Sequence, residues 1–241
     1  MKAIIMIPTY NEKENIASLI ESLFSIPLRS QDSLEIVVVD DASPDGTGIV
    51  VRELQSRYSH QLFLVERKHE RGRGTAGIAG FRFCLDRDVD CILEMDADFS
   101  HDPKYIPAFL ALSEHYDVVI GSRLVEGGSD ASRKISRVFV SLVANFIYRL
   151  LLGMRLRDIS GGYKCYRKAT MARLSFDHFF STGYPIGMET LFRCHQNGAT
   201  FLEVPIHFQD RKRGQSKFVL KEALNAFWIA FKLCLHFRWM A

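Results

Sequence analysis

The chain has five cysteines, and no two of them stand in a CxxC or any other paired spacing. Cys84, Cys91, Cys165, Cys194 and Cys234 therefore read as reduced packing thiols, which argues against a disulfide framework and against a zinc site. A core drawn from 241 residues needs no such staple. Charge of one sign is also lacking. The 31 Lys and Arg nearly balance 28 Asp and Glu, for a net charge of +3. A duplex binder concentrates basic charge, so nucleic acid is not an expected partner. Long apolar runs are missing too: the best candidate, Ala223 to Phe231, stops at Lys232, short of the ~18–20 residues of a membrane span. Met1-Lys2-Ala3-Ile4-Ile5 enters a strand-like run directly, without a signal-peptide pattern, and a cytoplasmic protein is the expectation.

What is present is alternation. Ala3–Ile7, Glu35–Val39, Leu62–Val65, Cys91–Met95 and Val118–Ile120 read as strands. Between them lie helical patterns: one entered through Asn11 with Glu14 completing a capping box, one over Thr47–Tyr58, one over Thr75–Leu85 and one over Pro103–Ser113. Farther on come a basic helix over Ser132–Leu152, a helix near Gly187–Asn197, a strand near Phe201–Ile206 and an amphipathic helix from Lys217. The pattern predicts an α/β fold, a mostly parallel sheet with helices on both faces. Ligands of such sheets sit beyond the carboxyl ends of the strands. Pro8-Thr9-Tyr10, Asp40-Asp41 and Asp96-Ala97-Asp98 all arrive at that edge.

Asp96-Ala97-Asp98 ends a buried-strand run and offers two carboxylates across one small residue. That suits a hard divalent cation such as Mg²⁺ or Mn²⁺, which leaves places for phosphate oxygens; a solvated acidic loop has the same local sequence. Asp40-Asp41 reads either as an acceptor for a base or ribose or as a turn before the Thr47 helix. Pro8 to Glu12 by itself is a strand end and a cap. Gly72-Arg73-Gly74-Thr75-Ala76-Gly77 matches GxGxxG, but Glu66 to Arg71 separate it from its strand, so the tight dinucleotide-binding turn is missing. A flexible loop whose amides and arginines lie near phosphates is the expectation there.

The positive charges cluster. Arg133, Arg137, Ser141, Asn145 and Arg149 recur every fourth residue as a polar stripe, flanked by Val138, Phe139, Leu142, Val143, Phe146 and Leu150. Arg123 follows Gly121-Ser122 at a strand end. Guanidinium forks match phosphate oxygens, so the stripe suits a lipid phosphate; a solvated helix face is the plainer alternative. A third cluster, Arg211-Lys212-Arg213-Gly214-Gln215-Ser216-Lys217, precedes a helix with Leu224, Phe227, Phe231 and Leu235 on one face and Trp228 and Trp239 nearby. Such a helix suits a membrane interface, or packing on the domain or a partner chain.

From Ile4 to Lys217 the chain resembles the polyprenol-phosphate (dolichol-phosphate) mannose synthases of the inverting family 2 glycosyltransferases. The stretches that carry the resemblance are Ile7 to Glu12, Val38 to Thr47, Met95 to Asp98, Gly121-Ser122-Arg123, Asp158 with Ser160-Gly161, and Arg211 through Gly214 with Ser216 and Lys217. It implies a glycosyltransferase A-type (Rossmann-like) fold, a nucleotide-sugar donor, usually GDP-mannose, and a polyprenyl phosphate acceptor. It further implies that Pro8, Tyr10, Glu12, Val39 and Asp41 line the nucleoside pocket and that Ala97 contacts the nucleotide. Asp96 and Asp98 would bind the metal, and Arg123, Arg211 and Lys217 would meet phosphates. Arg137 and Ser141, with Arg123, would take the acceptor side. Asp98 and Arg123 are the residues the resemblance makes catalytic. Two departures stand out: Ser100 replaces a common glutamine metal ligand, and Ala42 replaces asparagine or glycine.

The expected layout is a catalytic domain over residues 1–216 and a membrane-interface helix over 217–241. Many relatives carry C-terminal spans, so this chain is expected to be peripheral at the cytoplasmic face of a membrane or to use a membrane-anchoring partner protein. The expected reaction is inverting attack of the acceptor phosphate oxygen on the anomeric carbon. That oxygen is already anionic, so no general base is required and the protein's work is positioning and charge stabilisation. UDP-glucose or another nucleotide sugar on undecaprenyl phosphate, or a degenerate nucleotide-binding scaffold at the membrane surface, are the alternatives.

Overall fold

The structure is a computed structural model and describes residues 1–130, 135–209 and 220–238, without the side chains at 136, 220, 221, 223 and 238. Seven strands form one sheet: β1 (Lys2–Thr9), β2 (Ser33–Asp40), β3 (Leu62–Glu66), β4 (Cys91–Glu94), β5 (Val118–Ser122), β6 (Lys164–Arg167) and β7 (Phe201–Pro205). Their order is β3-β2-β1-β4-β6-β5-β7, with only β6 antiparallel to its neighbours. The helices are α1 (Lys13–Phe24), α2 (Thr47–Gln55), α3 (Arg73–Leu85), α4 (Ile106–Leu112), α5 (Ile135–Leu152), α6 (Lys168–Met171), α7 (Ile186–Gln196) and α8 (Leu220–Arg238).

Period-two side-chain alternation on β1 explains the two layers. Ile4 and Met6 enter one apolar cluster, with Phe81 of α3 and Leu191 of α7; Ala3, Ile5 and Ile7 enter the other, with Ile16 of α1 and Phe109 of α4. Both faces are covered, which is why β1 reads as a continuous apolar run. The mostly parallel sheet expected from the alternation is thus what forms. Strand order reverses between β1 and β4, since β2 and β3 are added on one side of β1 and β4 on the other. That reversal opens a crevice at the carboxyl edge.

β6 escaped the sequence reading. Its four residues carry no periodicity. Running antiparallel, it pairs Lys164 with both Glu94 and Ile120, so its beginning lies at the carboxyl edge of β4 and β5. The Asp158–Gly162 segment before it is thereby delivered to that edge.

Two local expectations are corrected. α1 begins at Lys13, and Asn11 is no cap but a residue with φ 58°. The amides of Asn11, Glu12 and Lys13 instead donate to Ser43 Oγ (2.9 Å), Thr47 Oγ1 (3.0 Å) and Asp45 Oδ2 (3.0 Å). The loop after β2 thus satisfies donors that a local capping box would have taken. The Gly72–Gly77 run is not a flexible loop either, because α3 starts at Arg73. A Cβ on Gly74 would stand 2.5 Å from the carbonyl carbon of Thr182, so glycine there permits close approach of two backbones.

α5 reverses the usual sense of an amphipathic helix. Ile135, Phe139, Phe146 and Leu150 are 88%, 66%, 65% and 74% exposed, whereas Asn145 of the polar stripe is 2% exposed. α8 packs against α5 and exposes Leu224, Phe227, Trp228 and Leu235, while its Ile229, Ala230 and Leu233 join the core. Among the described residues no helix is long and apolar enough to cross a membrane.

Candidate active site

Two cavities open at the carboxyl edge and meet. The first, about 500 Å³, lies over the ends of β1, β2 and β4 and is lined by Pro8, Tyr10, Glu12, Asp41, Asp96, Ala97 and Asp98 of the expected donor residues. Val39, the remaining expected nucleoside contact, keeps its side chain in the core beneath α3. The second cavity, about 640 Å³, lies between the Ser160–Gly162 loop, α5 and α8, and its lining includes Arg123, Arg137 and Ser141. Arg73, Asp96, Tyr184 and Glu222 line both. Arg133, Arg211 and Lys217 lie outside the described residues.

The first cavity is braced by hydrogen bonds. Asp40 points away from it, accepting from Thr9 Oγ1 (2.8 Å) and from the amide and hydroxyl of Ser43. Asp41 lines it, with one oxygen taken by Arg67 Nη1 (2.6 Å) and the other by the Gly72 amide (2.8 Å). Burial raises the Asp41 pKa from the usual carboxylate range, partly offset by the Gly72 amide and Arg67. The Arg71 guanidinium sits 5.4 Å from the centre of the Tyr10 ring. Asn11, Ala42 and Phe99 have φ of 58°, 48° and 61°, so a left-handed non-glycine residue follows each of the three site strands. At residue 42, where the resemblance implies asparagine or glycine, both of those residues tolerate that region.

The two aspartates differ. Asp96 is 39% exposed at its side chain and stands where the cavities join. Asp98 is buried, and its Oδ1 accepts from the amide (3.1 Å) and hydroxyl (2.6 Å) of Ser100. Ser100 therefore orients Asp98, one of the two carboxylates expected to bind the metal. The donor set fits a hard cation: oxygen only, at a strand end, facing a cavity. Among the described residues no group of three or more His, Cys, Asp and Glu is assembled as a metal cage. Two carboxylates without a full cage suit an ion that completes its shell with phosphate oxygens and water.

Behind them lies a group that the sequence reading missed. His101 is buried, stacks on Tyr163 (centroids 4.8 Å apart) and accepts the Asp96 amide at Nδ1 (3.0 Å). Burial lowers its pKa, so the ring is neutral with its proton on Nε2. Its only sequence signal was its place three residues past Asp98.

In the second cavity Arg123 is anchored. Its Nε and Nη2 form a fork on Asp158 (2.8 Å each), its amide donates to the same carboxylate (3.0 Å), and Nη1 lies 3.7 Å from Asp130. Burial alone would raise the Asp158 pKa, but the Arg123 charge and hydrogen bonds outweigh it and hold the carboxyl below its ordinary range. Asn145 of α5 ties this loop down, accepting from the amides of Ile159 (2.8 Å) and Ser160 (3.0 Å). Arg73 of the glycine motif joins the cavities from α3 with its Nη2 on Glu94 (2.8 Å) and near Asp96 (3.4 Å).

Residues 4–174 match the family described as Glycosyl transferase family 2. The undecaprenyl-phosphate mannosyltransferase of Micrococcus luteus is 38% identical over 217 residues, 90% of this chain and 87% of that protein. The polyprenol monophosphomannose synthase of Mycolicibacterium smegmatis is 36% identical over 217 residues, 90% and 80% of the two chains. Among solved structures, glucosyl-3-phosphoglycerate synthase from Mycobacterium tuberculosis, in complex with Mn²⁺, uridine-diphosphate and phosphoglyceric acid, superposes with a TM-score of 0.70. It is 16% identical, and the match covers 97% of this chain and 78% of that one. At that identity the likeness speaks for the fold, which is the glycosyltransferase A-type. With the family matched over residues 4–174 and relatives 36–38% identical along 90% of its length, the chain belongs to glycosyl transferase family 2.

Proposed function

We propose that the protein transfers mannose from GDP-mannose to the phosphate of a polyprenyl lipid, with inversion, at the cytoplasmic face of a membrane. One observation carries the reading: a polar cavity at the strand ends and a cavity walled by outward-apolar helices meet at Asp96. A soluble nucleotide sugar enters the first, and a phosphate on a lipid tail enters the second between α5 and α8. The relatives named as undecaprenyl-phosphate mannosyltransferase and polyprenol monophosphomannose synthase support mannose and the lipid acceptor. The five free cysteines fit a reducing compartment.

Pro8, Tyr10, Glu12 and Asp41 hold the nucleoside, with the backbone at Val39 and Ala97 beside it. Mg²⁺ or Mn²⁺ held by Asp96 and Asp98 would supply neutralising charge for the leaving diphosphate. Ser100 and His101 fix those two aspartates, the first through the Asp98 carboxylate and the second through the Asp96 amide. Arg137 and Ser141 receive the acceptor phosphate beside Arg123, whose position Asp158 sets; Arg211 and Lys217 would add charge from the segment before α8. Two anions that repel each other are thus brought together, and the acceptor oxygen needs no base. The exposed faces of α5 and α8 rest on the membrane.

The test is a panel of labelled nucleotide sugars, GDP-mannose and UDP-glucose first, with extractable polyprenyl phosphate. Label entering the lipid from GDP-mannose, with GDP released, supports the reading; label entering only from another donor replaces the sugar and keeps the class. Flotation of the isolated chain with anionic vesicles separates direct binding from attachment through an anchoring partner protein, since in the second case the chain stays at the bottom of the gradient.

A further inference from the structure

Arg73 and Glu222 share two properties. Both line both cavities, and each carries a buried side-chain atom with no hydrogen-bond partner, Nη1 of Arg73 and Oε2 of Glu222. Buried polar atoms are nearly always paired, so an unpaired donor and an unpaired acceptor at one junction call for a ligand group that can supply both. Arg73 is already fixed, since its Nη2 is held by Glu94 at 2.8 Å. Glu222 comes from α8, where it lies close over Gly183; a Cβ on that glycine would be 3.2 Å from Oε2.

Charge then selects the ligand. The reading above puts an anion in each cavity, a diphosphate on one side and a lipid phosphate on the other. A carboxylate that no basic side chain neutralises among the described residues repels both. Only a neutral, hydroxyl-rich group is welcome beside it. The part of the reactants that lies between the two anions is the transferred sugar.

We propose that Arg73 and Glu222 form the seat of the transferred sugar and determine which hexose is accepted, Glu222 Oε2 accepting a hydrogen bond from a sugar hydroxyl and Arg73 Nη1 donating to a sugar oxygen. The assignment rests on the two-cavity reading. A site built to hydrogen-bond a hydroxyl rejects the analogue lacking it far more strongly than an apolar pocket rejects a size change.

The experiment compares full-length wild type with Glu222→Gln, an isosteric change, and Arg73→Lys, which keeps a positive charge beside Glu94 and Asp96 while removing Nη1; folding is checked by thermal melting. GDP, UDP, GDP-mannose, UDP-glucose and a deoxy-mannose donor series are titrated by calorimetry with Mn²⁺, and turnover is measured with the sugars that react. The expected result is unchanged affinity for the free diphosphates, within about twofold, with kcat/KM for the preferred sugar nucleotide lowered about tenfold or more. At least one deoxy donor should lose as much in wild type and little further in the variants. Equal weakening of diphosphate and sugar nucleotide overturns the seat in favour of a structural role. So does a wild type that binds GDP-mannose and UDP-glucose no better than GDP and UDP. Absence of lipid transfer from any donor, with the binding pattern intact, would instead overturn the acceptor reading and leave the seat standing.

Discussion

The two cavities are built in opposite ways. The donor side is made of strand ends whose polar groups are already committed: Asp40 to Thr9 and Ser43, Asp41 to Arg67 and Gly72, Asp98 to Ser100. The acceptor side is made of two helices with exposed apolar residues, α5 also turning Asn145 of its polar stripe inward. A rigid, hydrogen-bonded frame suits a small charged donor that must be held in one pose. A wall with its apolar side out suits a reactant whose reactive phosphate belongs to the protein and whose tail belongs to the bilayer.

The largest effect is expected where the acceptor side borrows the rigidity of the donor side. Asp158→Asn should destabilise the fold by about 3–5 kcal/mol near neutral pH, because it leaves the buried Arg123 without its partner. The Asp158 carboxyl titrates lower in the folded protein than in the unfolded chain, so its stabilisation is complete above the ordinary carboxylate range and is lost as pH falls below it. Urea titrations at neutral pH and in acid should therefore show the wild-type and variant midpoints converging as pH drops. A gap that stays constant would contradict the pairing.

Next comes Asp96→Asn. The Asp96 carboxylate is 39% exposed and its ion pair with Arg73 is long (3.4 Å), so melting should move by no more than a few degrees while transfer falls about 10²–10³-fold. Comparable loss of stability and activity would make Asp96 structural. A smaller effect, confined to the acceptor side, is expected for Phe139→Glu and Phe146→Glu. Each removes an exposed ring worth about 1.5–3 kcal/mol of apolar burial in the bilayer, so vesicle affinity should fall about tenfold or more while GDP binding is untouched. Unchanged flotation would show that the apolar face serves something other than a lipid surface. The smallest effect belongs to the donor frame: Ala42→Gly should stabilise by about 0.5–1 kcal/mol in chemical denaturation, because alanine is held at φ 48°.

The comparison also explains what could be read from the sequence. Strand ends are local features, so short apolar runs followed by polar residues placed Pro8, Tyr10, Asp41, Asp96 and Asp98 at one sheet edge; the resemblance supplied their roles, and the structure brings them to one cavity. The acceptor side depends on helix orientation. The four-residue stripe of α5 was visible, but periodicity cannot tell which face turns inward; Asn145 decides this by binding the Ile159 and Ser160 amides, a contact 14 residues away in the chain. β6 was illegible because four residues with charged ends show no period, and with it went the reason that Asp158 and Gly162 reach the site. His101 and Glu222 gave no pattern of their own, and Arg73 showed only as an arginine of the glycine motif, since what makes them notable is their burial in the folded chain. Asn11 and the glycine run misled for a related reason: their partners, Ser43 and Thr182, come from elsewhere in the chain.

If the two cavities hold the two halves of one transfer reaction, labelled mannose passes from GDP-mannose into the organic-extractable fraction when polyprenyl phosphate and Mg²⁺ or Mn²⁺ are present. Wild type is compared with Asp96→Asn and with Phe146→Glu, a residue outside the lining of the second cavity. Labelling of the lipid by wild type should require the cation. It should be almost lost in Asp96→Asn at any lipid concentration, and the loss in Phe146→Glu should be restored by a water-soluble short-chain polyprenyl phosphate. Labelling that persists without a divalent cation, or a Phe146→Glu defect equally deep with the short-chain acceptor, would refute the two-cavity reading.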